Sequence, residues 1–387
     1  MTTTAERATP TTSAAPRGNP WWPSWRGVGL VTRIELTRRR PTTKGYIFYG
    51  ILVAAILGLG ILVAALAPPG KTSTPMELVL ILVLGAGLLI APSLSSTSIN
   101  GDSSEGVLAP MQMTRLTAGD LALGKLLASW LFAVAVLITT TPLLVYAFSR
   151  SGWHWYELIA VLGAILFAVL TFTAIGLAWS ALAARAVASV SLAHLTTGFL
   201  VLGTLVIYAF AMPLVSENVT VTDRYVDYGT LTPDEQEAYE AGELDYSTVQ
   251  CTEQTYETSV VHTDTIAWLL LLNPVVVIGE AAPVVNPNTY EEDDRAAPGA
   301  FALMHQAVGG AQLGSQGAPL GYDECGDPNS QAWSDQWDQQ QEEQALFPRN
   351  PWLGLALQAV LLVGAMGIVI RRLRVPYKKL RAGTRVA

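Results

Sequence analysis

Residues 158–184 read LIAVLGAILFAVLTFTAIGLAWSALAA, a run of 27 residues without Asp, Glu, Lys or Arg. A helix rises about 1.5 Å per residue, so about 20 apolar residues cross the hydrocarbon core of a bilayer. The run is long enough to span a membrane as one helix. It predicts that the fold is a bundle of helices embedded in lipid.

Five further uncharged stretches have a comparable length, at residues 45–70, 78–101, 126–149, 186–216 and 350–370. The chain of 387 residues is 51% hydrophobic and only 14% charged, about half the charged share of an ordinary soluble domain. This composition excludes a disordered chain, a coiled coil and most soluble multidomain enzymes. We therefore expect an all-α membrane protein with six transmembrane helices.

A seventh apolar stretch, TIAWLLLLNPVVVIG at residues 265–279, is only 15 residues long. It lies between Asp264 and Glu280 and is interrupted by Asn273 and Pro274. Irregular backbone at membrane depth is tolerated where it is buried in protein or lines a cavity. We expect residues 265–280 to form a re-entrant or interfacial helix on the outer side.

The net charge of −8 is divided unevenly along the chain. Residues 214–350 carry a net charge of −21, and the remaining residues carry +13. With six spans and both termini inside, 18 basic residues are cytoplasmic and five are outside, as the positive-inside rule favours. This topology predicts a multi-pass membrane protein with both termini cytoplasmic. The high use of Ala, Gly and Arg with few Lys is typical of a GC-rich bacterial genome, so we expect a bacterial inner or plasma membrane.

The topology also divides the chain into parts. Residues 1–23 are expected to form a disordered cytoplasmic tail, and residues 24–213 an amphipathic helix followed by spans one to five. Residues 214–350 are expected to form an acidic extracytoplasmic insertion. Residues 351–370 then form span six, and residues 371–387 a basic cytoplasmic tail.

The segment before the first span is typical of an amphipathic helix lying along the inner leaflet. Its apolar residues recur at a spacing of three, at Trp25, Val28, Val31 and Ile34. Its cationic residues are Arg26, Arg33, Arg38, Arg39 and Arg40. The alternative is a basic anchor beside the first span, without a defined helical face.

Both cysteines, Cys251 and Cys325, lie in the acidic insertion. Two cysteines on the oxidising side favour a disulfide, and the alternative is two unpaired buried thiols. The acidic residues and histidines of the insertion show neither a calcium loop nor the ligand spacing of a zinc site. We expect no metal site.

Polar side chains within the spans are few. His194, Thr196 and Thr197 lie on the fifth span, where they would line a translocation path or form hydrogen bonds that pack helices together. No acid, base and nucleophile have a spacing typical of catalysis, so the chain is not expected to be an enzyme.

One stretch comes close to a phosphate-binding loop. Residues 119–125 read GDLALGK, but Leu126 stands where a hydroxyl should bind magnesium, and no strand precedes the loop. We expect no ATP site in this chain.

Residues 95–130 read SSTSINGDSSEGVLAPMQMTRLTAGDLALGKLLASW and connect spans two and three. This connection resembles that of type-2 ATP-binding cassette (ABC) exporter permeases. The matching residues are Glu105, Gly106, Leu108, Pro110, Thr114, Gly124 and Lys125. The basic amphipathic helix resembles the elbow helix of that family, and LLNPV at residues 271–275 is similar to its outer Leu-Asn-Pro signature.

The resemblance implies that the loop between spans two and three is a coupling helix docking on a separate cytoplasmic ATPase. Its coupling residues would be Asp102, Glu105, Gly106, Pro110, Arg115, Asp120 and Lys125. ATP and magnesium would bind the partner, with no cofactor in this chain. A second copy or a homologous permease and membrane lipids would be the other partners, without nucleic acid. The alternative for the loop is that its charges are ordinary helix caps.

These expectations favour the permease subunit of an ATP-driven exporter whose cargo is a lipid, a drug-like compound, a peptide or an ion. The alternative is a membrane-anchored receptor or cell-envelope assembly module that acts through its acidic outer domain. A membrane enzyme acting on lipid is disfavoured.

Overall fold

The computed structural model of the chain describes residues 21–39, 43–66, 73–241, 249–283, 299–314, 325, 348 and 350–374. Several predicted features lie outside these residues: the tail up to residue 20, Arg40, much of the acidic insertion and the basic tail from residue 375.

The described residues are mostly helical. The α-helices, numbered in chain order, are α1 (Trp25–Arg38), α2 (Thr43–Leu66), α3 (Thr74–Ser95), α4 (Ser98–Ser104), α5 (Leu108–Met113), α6 (Ala118–Ile138), α7 (Thr141–Ser151), α8 (Trp155–Leu182), α9 (Ala186–Gly198), α10 (Thr204–Ala211), α11 (Pro233–Glu240), α12 (Pro274–Ala281), α13 (Ala300–Leu313) and α14 (Pro351–Leu373). A π-helical turn, Phe199–Gly203, joins α9 to α10.

Within the described residues, five helical stretches are long and apolar enough to cross a membrane: Thr74–Ser104, Ala118–Ile138, Trp155–Leu182, Ala186–Val215 and Pro351–Leu373. They correspond to the second to sixth predicted spans. The first predicted span, residues 45–70, overlaps α2, within which Val53–Leu62 is a shorter apolar helix, and residues 67–70 lie outside the described residues. Long helices that are apolar on all sides are typical of a multi-pass membrane protein.

The predicted bounds of the third span are wrong. Residues 126–149 are divided between α6 and α7, because Thr139 and Thr140 bond back to carbonyls of the preceding turn and Pro142 lies at the start of α7. The helix also begins earlier, at Ala118. Lys125 therefore lies within α6 instead of in front of a span.

The centre of the bundle is formed by α3, α6 and α8, with α14 packed against α8. Its largest fully buried apolar side chains include Leu80, Leu84, Leu121, Ile165, Phe172 and Leu177. Ile278 of α12 and Phe301 of α13 belong to the same core. These two helices therefore pack into the bundle, although they lie within the acidic insertion in sequence.

The Leu-Asn-Pro segment forms a bent helix pair. A 3-10 helix runs through Ala267–Leu272, and α12 follows at an angle of 96° to the helical stretch Thr263–Leu272. Asn273 is the N-cap of α12, where its side chain accepts a hydrogen bond from Val275 N at 2.9 Å, and Pro274 is the first helical residue. Such a bend is that of a broken span or a re-entrant segment.

The expectation of an all-α fold is wrong in the insertion. Strand β1 (Ser216–Val226) pairs antiparallel with β2 (Cys251–Val261), and Ser216 lies opposite Val261 at the base of the hairpin. Nearly half of the residues in each strand are β-branched, which favours strand over helix. They stand beside charged residues, so the pattern of hydropathy that identifies spans gave no signal for them.

The predicted disulfide between Cys251 and Cys325 is present. It adjoins a small apolar cluster that is separate from the bundle core, with Val226 buried at its centre and Leu231 and Tyr239 packed around it. The hairpin, α11 and the disulfide therefore form a local structure of their own.

Candidate functional site

The amphipathic helix α1 packs directly on α6. Val28 and Val31 are buried, and Gly124 of α6 lies against them, where a Cβ would come within 2.5 Å of the Val31 side chain. Thr32 Oγ1 adds a hydrogen bond to the carbonyl of Gly124 at 3.3 Å. The absence of a side chain at Gly124 is what allows the two helices to approach so closely.

The prediction of one apolar face on α1 is correct only in part. Val28 and Val31 are buried, but Trp25 is 87% exposed and Ile34 is 38% exposed. The helix therefore presents one apolar surface to α6 and leaves other apolar side chains uncovered. A surface helix with uncovered Trp residues is typical of a membrane interface.

The carboxylate of Asp120 connects the starts of α1 and α6. It accepts hydrogen bonds from Thr117 N at 2.9 Å and from Ser24 N at 2.6 Å. Thr117 Oγ1 accepts from Asp120 N in return, which completes a capping box, while Ser24 Oγ caps α1 by accepting from Gly27 N. Asp120 is 2% exposed, and its carboxylate forms hydrogen bonds to other residues of this chain.

Lys125 is fully buried, and two carboxyl groups and a backbone carbonyl surround its Nζ. Nζ donates to Glu35 Oε1 at 2.5 Å, to Asp102 Oδ2 and to the carbonyl of Ser98 at 3.1 Å. Its three hydrogens thus have three acceptors, as a buried ammonium requires. The contacts join α1, α4 and α6 at one point.

Arg38 and Arg39 extend these contacts. Arg38 donates to Asp102 Oδ1 at 3.0 Å and to Glu105 Oε2 at 3.1 Å. Arg39 donates to the carbonyl of Leu94 at 2.9 Å and to Ser98 Oγ at 2.8 Å, and its Nε lies 3.5 Å from Glu35. The predicted cationic surface of α1 is therefore turned towards the rest of the chain at these two positions.

We call this set the ion-pair network; its members are Glu35, Arg38, Arg39, Asp102, Glu105 and Lys125. Three acids and three bases give it no net formal charge. Burial acts to lower the pKa of the Arg38 guanidinium, but the hydrogen bond to Asp102 and the nearby carboxylates outweigh burial and raise it. Arg38 stays charged at every accessible pH.

The predicted coupling residues thus fall into two groups. Asp102, Asp120 and Lys125 are buried and bonded within the chain, so they do not form an outward surface, contrary to the expectation for the two aspartates. The other four predicted coupling residues, Glu105, Gly106, Pro110 and Arg115, are exposed.

Gly106 ends α4 with a left-handed backbone conformation, at a φ of 70°. Its N–H donates to the carbonyl of Ser103 at 3.2 Å, and Val107 N donates to the carbonyl of Asp102 at 2.9 Å. This pair of bonds is a Schellman motif, which favours glycine at this position. The turn directs the chain from α4 into α5.

Glu35 is a member of the ion-pair network that was not among the predicted site residues. Its pairing with the two arginines could have been predicted, because Glu35 stands three residues before Arg38 and four before Arg39. This is the spacing of neighbours on one helix face. Nothing local indicated that Lys125, 90 residues away, is its closest partner.

Two of the three polar residues predicted on the fifth span form hydrogen bonds to other helices. His194 Nε2 lies 3.0 Å from Ser93 Oγ of α3, and Thr196 Oγ1 accepts a bond from Trp179 Nε1 of α8 at 2.9 Å. Thr197 is buried and donates to a carbonyl of its own helix. Hydrogen bonds between helices, one of the two alternatives, account for His194 and Thr196, whereas Thr197 bonds within its own helix. Lining of a path stays a prediction for all three.

At the other end of the bundle lie three buried polar side chains that were not among the predicted site residues: Glu77, Glu280 and His305. Glu77 at the start of α3 accepts from Phe301 N at 2.9 Å. Glu280 lies 2.9 Å from His305 Nδ1, and both are at most 2% exposed. These contacts fasten α12 and α13 to the bundle.

Asn273 has a second role beside its cap. It is 1% exposed, and its Nδ2 donates to the carbonyl of Val201 at 2.7 Å, within the π-helical turn. A π-turn leaves carbonyls without their usual α-helical partner, and the amide of Asn273 supplies one. The bent pair is thereby tied to the fifth membrane helix.

The described residues contain no group of three or more His, Cys, Asp or Glu side chains that could hold a metal ion. The ion-pair network has no nucleophile beside a free base. Its arrangement holds three helices together at one end of the bundle, which suits mechanical coupling.

Comparison of the chain with models of known protein families gives no match. Comparison with curated protein sequences gives no match either.

Proposed function

We propose that this chain is the membrane permease subunit of an ATP-driven ABC exporter, working as a dimer with a separate cytoplasmic ATPase. The observation that supports it most is the ion-pair network. It connects the loop after α3, which the family resemblance assigns to ATPase coupling, with the amphipathic helix and with the next membrane helix.

The network provides a route for mechanical force. A partner pressing on the exposed face of the loop, at Pro110 and Arg115, would displace α4. Because Asp102 of α4 is bonded to both Lys125 and Arg38, the displacement would carry α1 and the start of α6 with it. In this proposal α1 moves together with α6 and does not slide independently along the leaflet.

Our proposed topology has six spans: α2, α3, α6, α8, α9 with α10, and α14. The bent pair is a re-entrant segment, and both termini are cytoplasmic in a bacterial inner or plasma membrane. The charge distribution supports this orientation, and so does the disulfide, since the acidic insertion then lies on the oxidising side.

The lateral surface leaves room for a second copy. Large apolar side chains on α9 and in the following π-turn, at Leu195, Phe199 and Leu202, are more than half exposed. In this proposal they meet lipid or the second permease.

The test is co-purification with an ATPase encoded beside this chain. The pair should form a stoichiometric complex with ATPase activity, and Arg115→Glu should reduce complex yield about tenfold, on the order expected for one reversed interface charge. Arg224→Glu on the hairpin is the matched control and should leave the complex intact. A folded permease that recruits no ATPase would contradict the proposal.

A second candidate function is a receptor or assembly module, favoured by the separate apolar cluster of the hairpin. Ser216 and Val261 are paired, so a short Gly-Ser linker can replace residues 216–261 without opening the bundle. Cys325→Ser is added to remove the unpaired thiol. Loss of all activity in a folded chain that recruits no ATPase would favour the module. A variant that still binds the ATPase and stimulates ATP hydrolysis would favour the permease.

A further inference from the structure

A groove of about 570 Å³ lies between α1, the end of α3, α4 and α6. Its volume falls within the range of about 300–1,000 Å³ that small-molecule sites occupy. Its acidic and basic lining residues are Glu35, Arg38, Arg39, Asp102 and Glu105. The groove is thus the open side of the ion-pair network.

The arginines of the groove retain donors beyond those used inside the chain. A guanidinium has five N–H groups, and the hydrogen bonds of Arg38 and of Arg39 use two each. Glu105 has a side chain that is 64% exposed and is bonded by Arg38 on one oxygen only. The groove therefore offers donors for an anion and an acceptor for a cation.

A ligand with one sign of charge suits these walls poorly. An anion meets the carboxylates of Glu35, Asp102 and Glu105, and a cation meets two guanidinium groups. A zwitterion can place each charge against its opposite. Charge balance in the groove thus favours a ligand that carries both signs.

The position of the groove indicates a lipid. It lies where the apolar helix α3 ends at Ser95 and the polar helix α4 begins, which is the level of the headgroups if α3 crosses a membrane. Leu94 and Phe132 line its apolar part, where an acyl chain or glycerol could lie.

We propose that this groove binds the headgroup of a zwitterionic aminophospholipid. The phosphate accepts from Arg38 and Arg39, the ammonium donates to Glu105, and the glycerol end lies beside Leu94 and Phe132. The inference does not rest on the proposed transport function, since a lipid can be bound whether or not the chain exports anything.

Native mass spectrometry of the purified full chain, with defined lipids added, tests the proposal. Phosphatidylethanolamine should be retained about tenfold more than phosphatidylcholine of the same acyl chains, because a quaternary ammonium cannot donate a hydrogen bond. Phosphatidylglycerol, which lacks the ammonium, should also be retained less.

Two variants locate the site. Glu105→Gln should abolish the preference for phosphatidylethanolamine, and Glu237→Gln, an exposed carboxylate on α11, should not. Gly101→Leu fills the groove, since an added Cβ meets no atom within 4 Å there, and should lower retention about tenfold without lowering the melting temperature.

Equal retention of the three lipids would overturn the proposal, and so would unchanged retention by the Gly101→Leu variant. In the last experiment, soluble glycerophosphoethanolamine competes with the bound phosphatidylethanolamine. If it displaces the lipid at equal concentration, the groove binds a water-soluble zwitterion and the lipid assignment is wrong.

Discussion

The ammonium of Lys125 lies 2.5 Å from a carboxylate oxygen of Glu35, and both side chains are buried. Lys125 also pairs with Asp102, and the two buried carboxylates are further paired with Arg39 and Arg38. Removal of one partner from such a set leaves an uncompensated charge, which costs more than the pair itself contributes.

Lys125→Met should therefore lower the free energy of unfolding by about 3 kcal/mol or more. Thermal unfolding of the purified chain in detergent measures the change. Adding Glu35→Gln should recover part of the loss, because it removes one of the stranded charges. Arg115→Met removes an exposed base and should have little effect; equal losses for Arg115 and Lys125 would contradict the network.

Gly124→Ala should separate α1 from α6. The added Cβ meets the Val31 side chain at 2.5 Å, and overpacking of this kind costs about 1–3 kcal/mol. The measurement is the melting temperature together with protease cleavage within α1, which should become faster. Gly163→Ala on α8, where a Cβ meets nothing within 4 Å, is the control and should leave both readouts unchanged or improved.

Gly106→Ala should lower the free energy of unfolding by about 1 kcal/mol, because an L-residue adopts the left-handed conformation at a cost. Gly101→Ala, in the interior of α4, should stabilise by a similar amount, since alanine is the better helix former. Melting temperatures that move in opposite directions support the cap. A shift of the same sign in both variants would show that Gly106 does not need its positive φ.

Loss of the disulfide should loosen the hairpin and leave the bundle intact. Cys251 and Cys325 are 74 positions apart, and closing a loop of this length contributes a few kcal/mol by the entropy of the unfolded chain. Cys251→Ser with Cys325→Ser should speed hydrogen exchange in β1 and β2, while α3, α6 and α8 stay protected. Faster exchange throughout the bundle would contradict the separation of the two cores.

The capping box of α11 predicts a dependence on pH. Hydrogen bonds from Thr232 lower the pKa of Glu235. The ionised carboxylate of Glu235 thus stabilises the helix at any pH above the pKa that Glu235 has in the unfolded chain. This contribution is lost as the pH falls through the lower pKa that Glu235 has in the folded protein.

Amide hydrogen exchange in α11 should therefore become faster on acidification, at a pH below the ordinary pKa of a glutamate side chain. Thr232→Val should move the onset to higher pH, whereas Thr232→Ser keeps the hydroxyl and should not. An onset that is the same in all three proteins would rule out the cap as its cause.

The runs of uncharged residues were sufficient to locate five helices long enough for a membrane, since the hydropathy of one stretch decides whether it prefers lipid. The break at Asn273 and Pro274 was also predictable, because it depends on the local chemistry of these two residues. The pairing of the cysteines was predictable because only two cysteines are present in the chain. The hairpin was not, because its residues lack an apolar periodicity strong enough to stand out.

The sequence by itself determined which segments are helical and apolar, and where charge accumulates along the chain. Only the tertiary structure decided that Lys125 meets Glu35 and Asp102, and that His305 meets Glu280. Helical periodicity relates residues three or four positions apart, whereas these partners are brought together by the packing of different helices. The charged residues of the loop that the sequence placed at a docking surface, such as Asp102, instead join the helices of the bundle to one another.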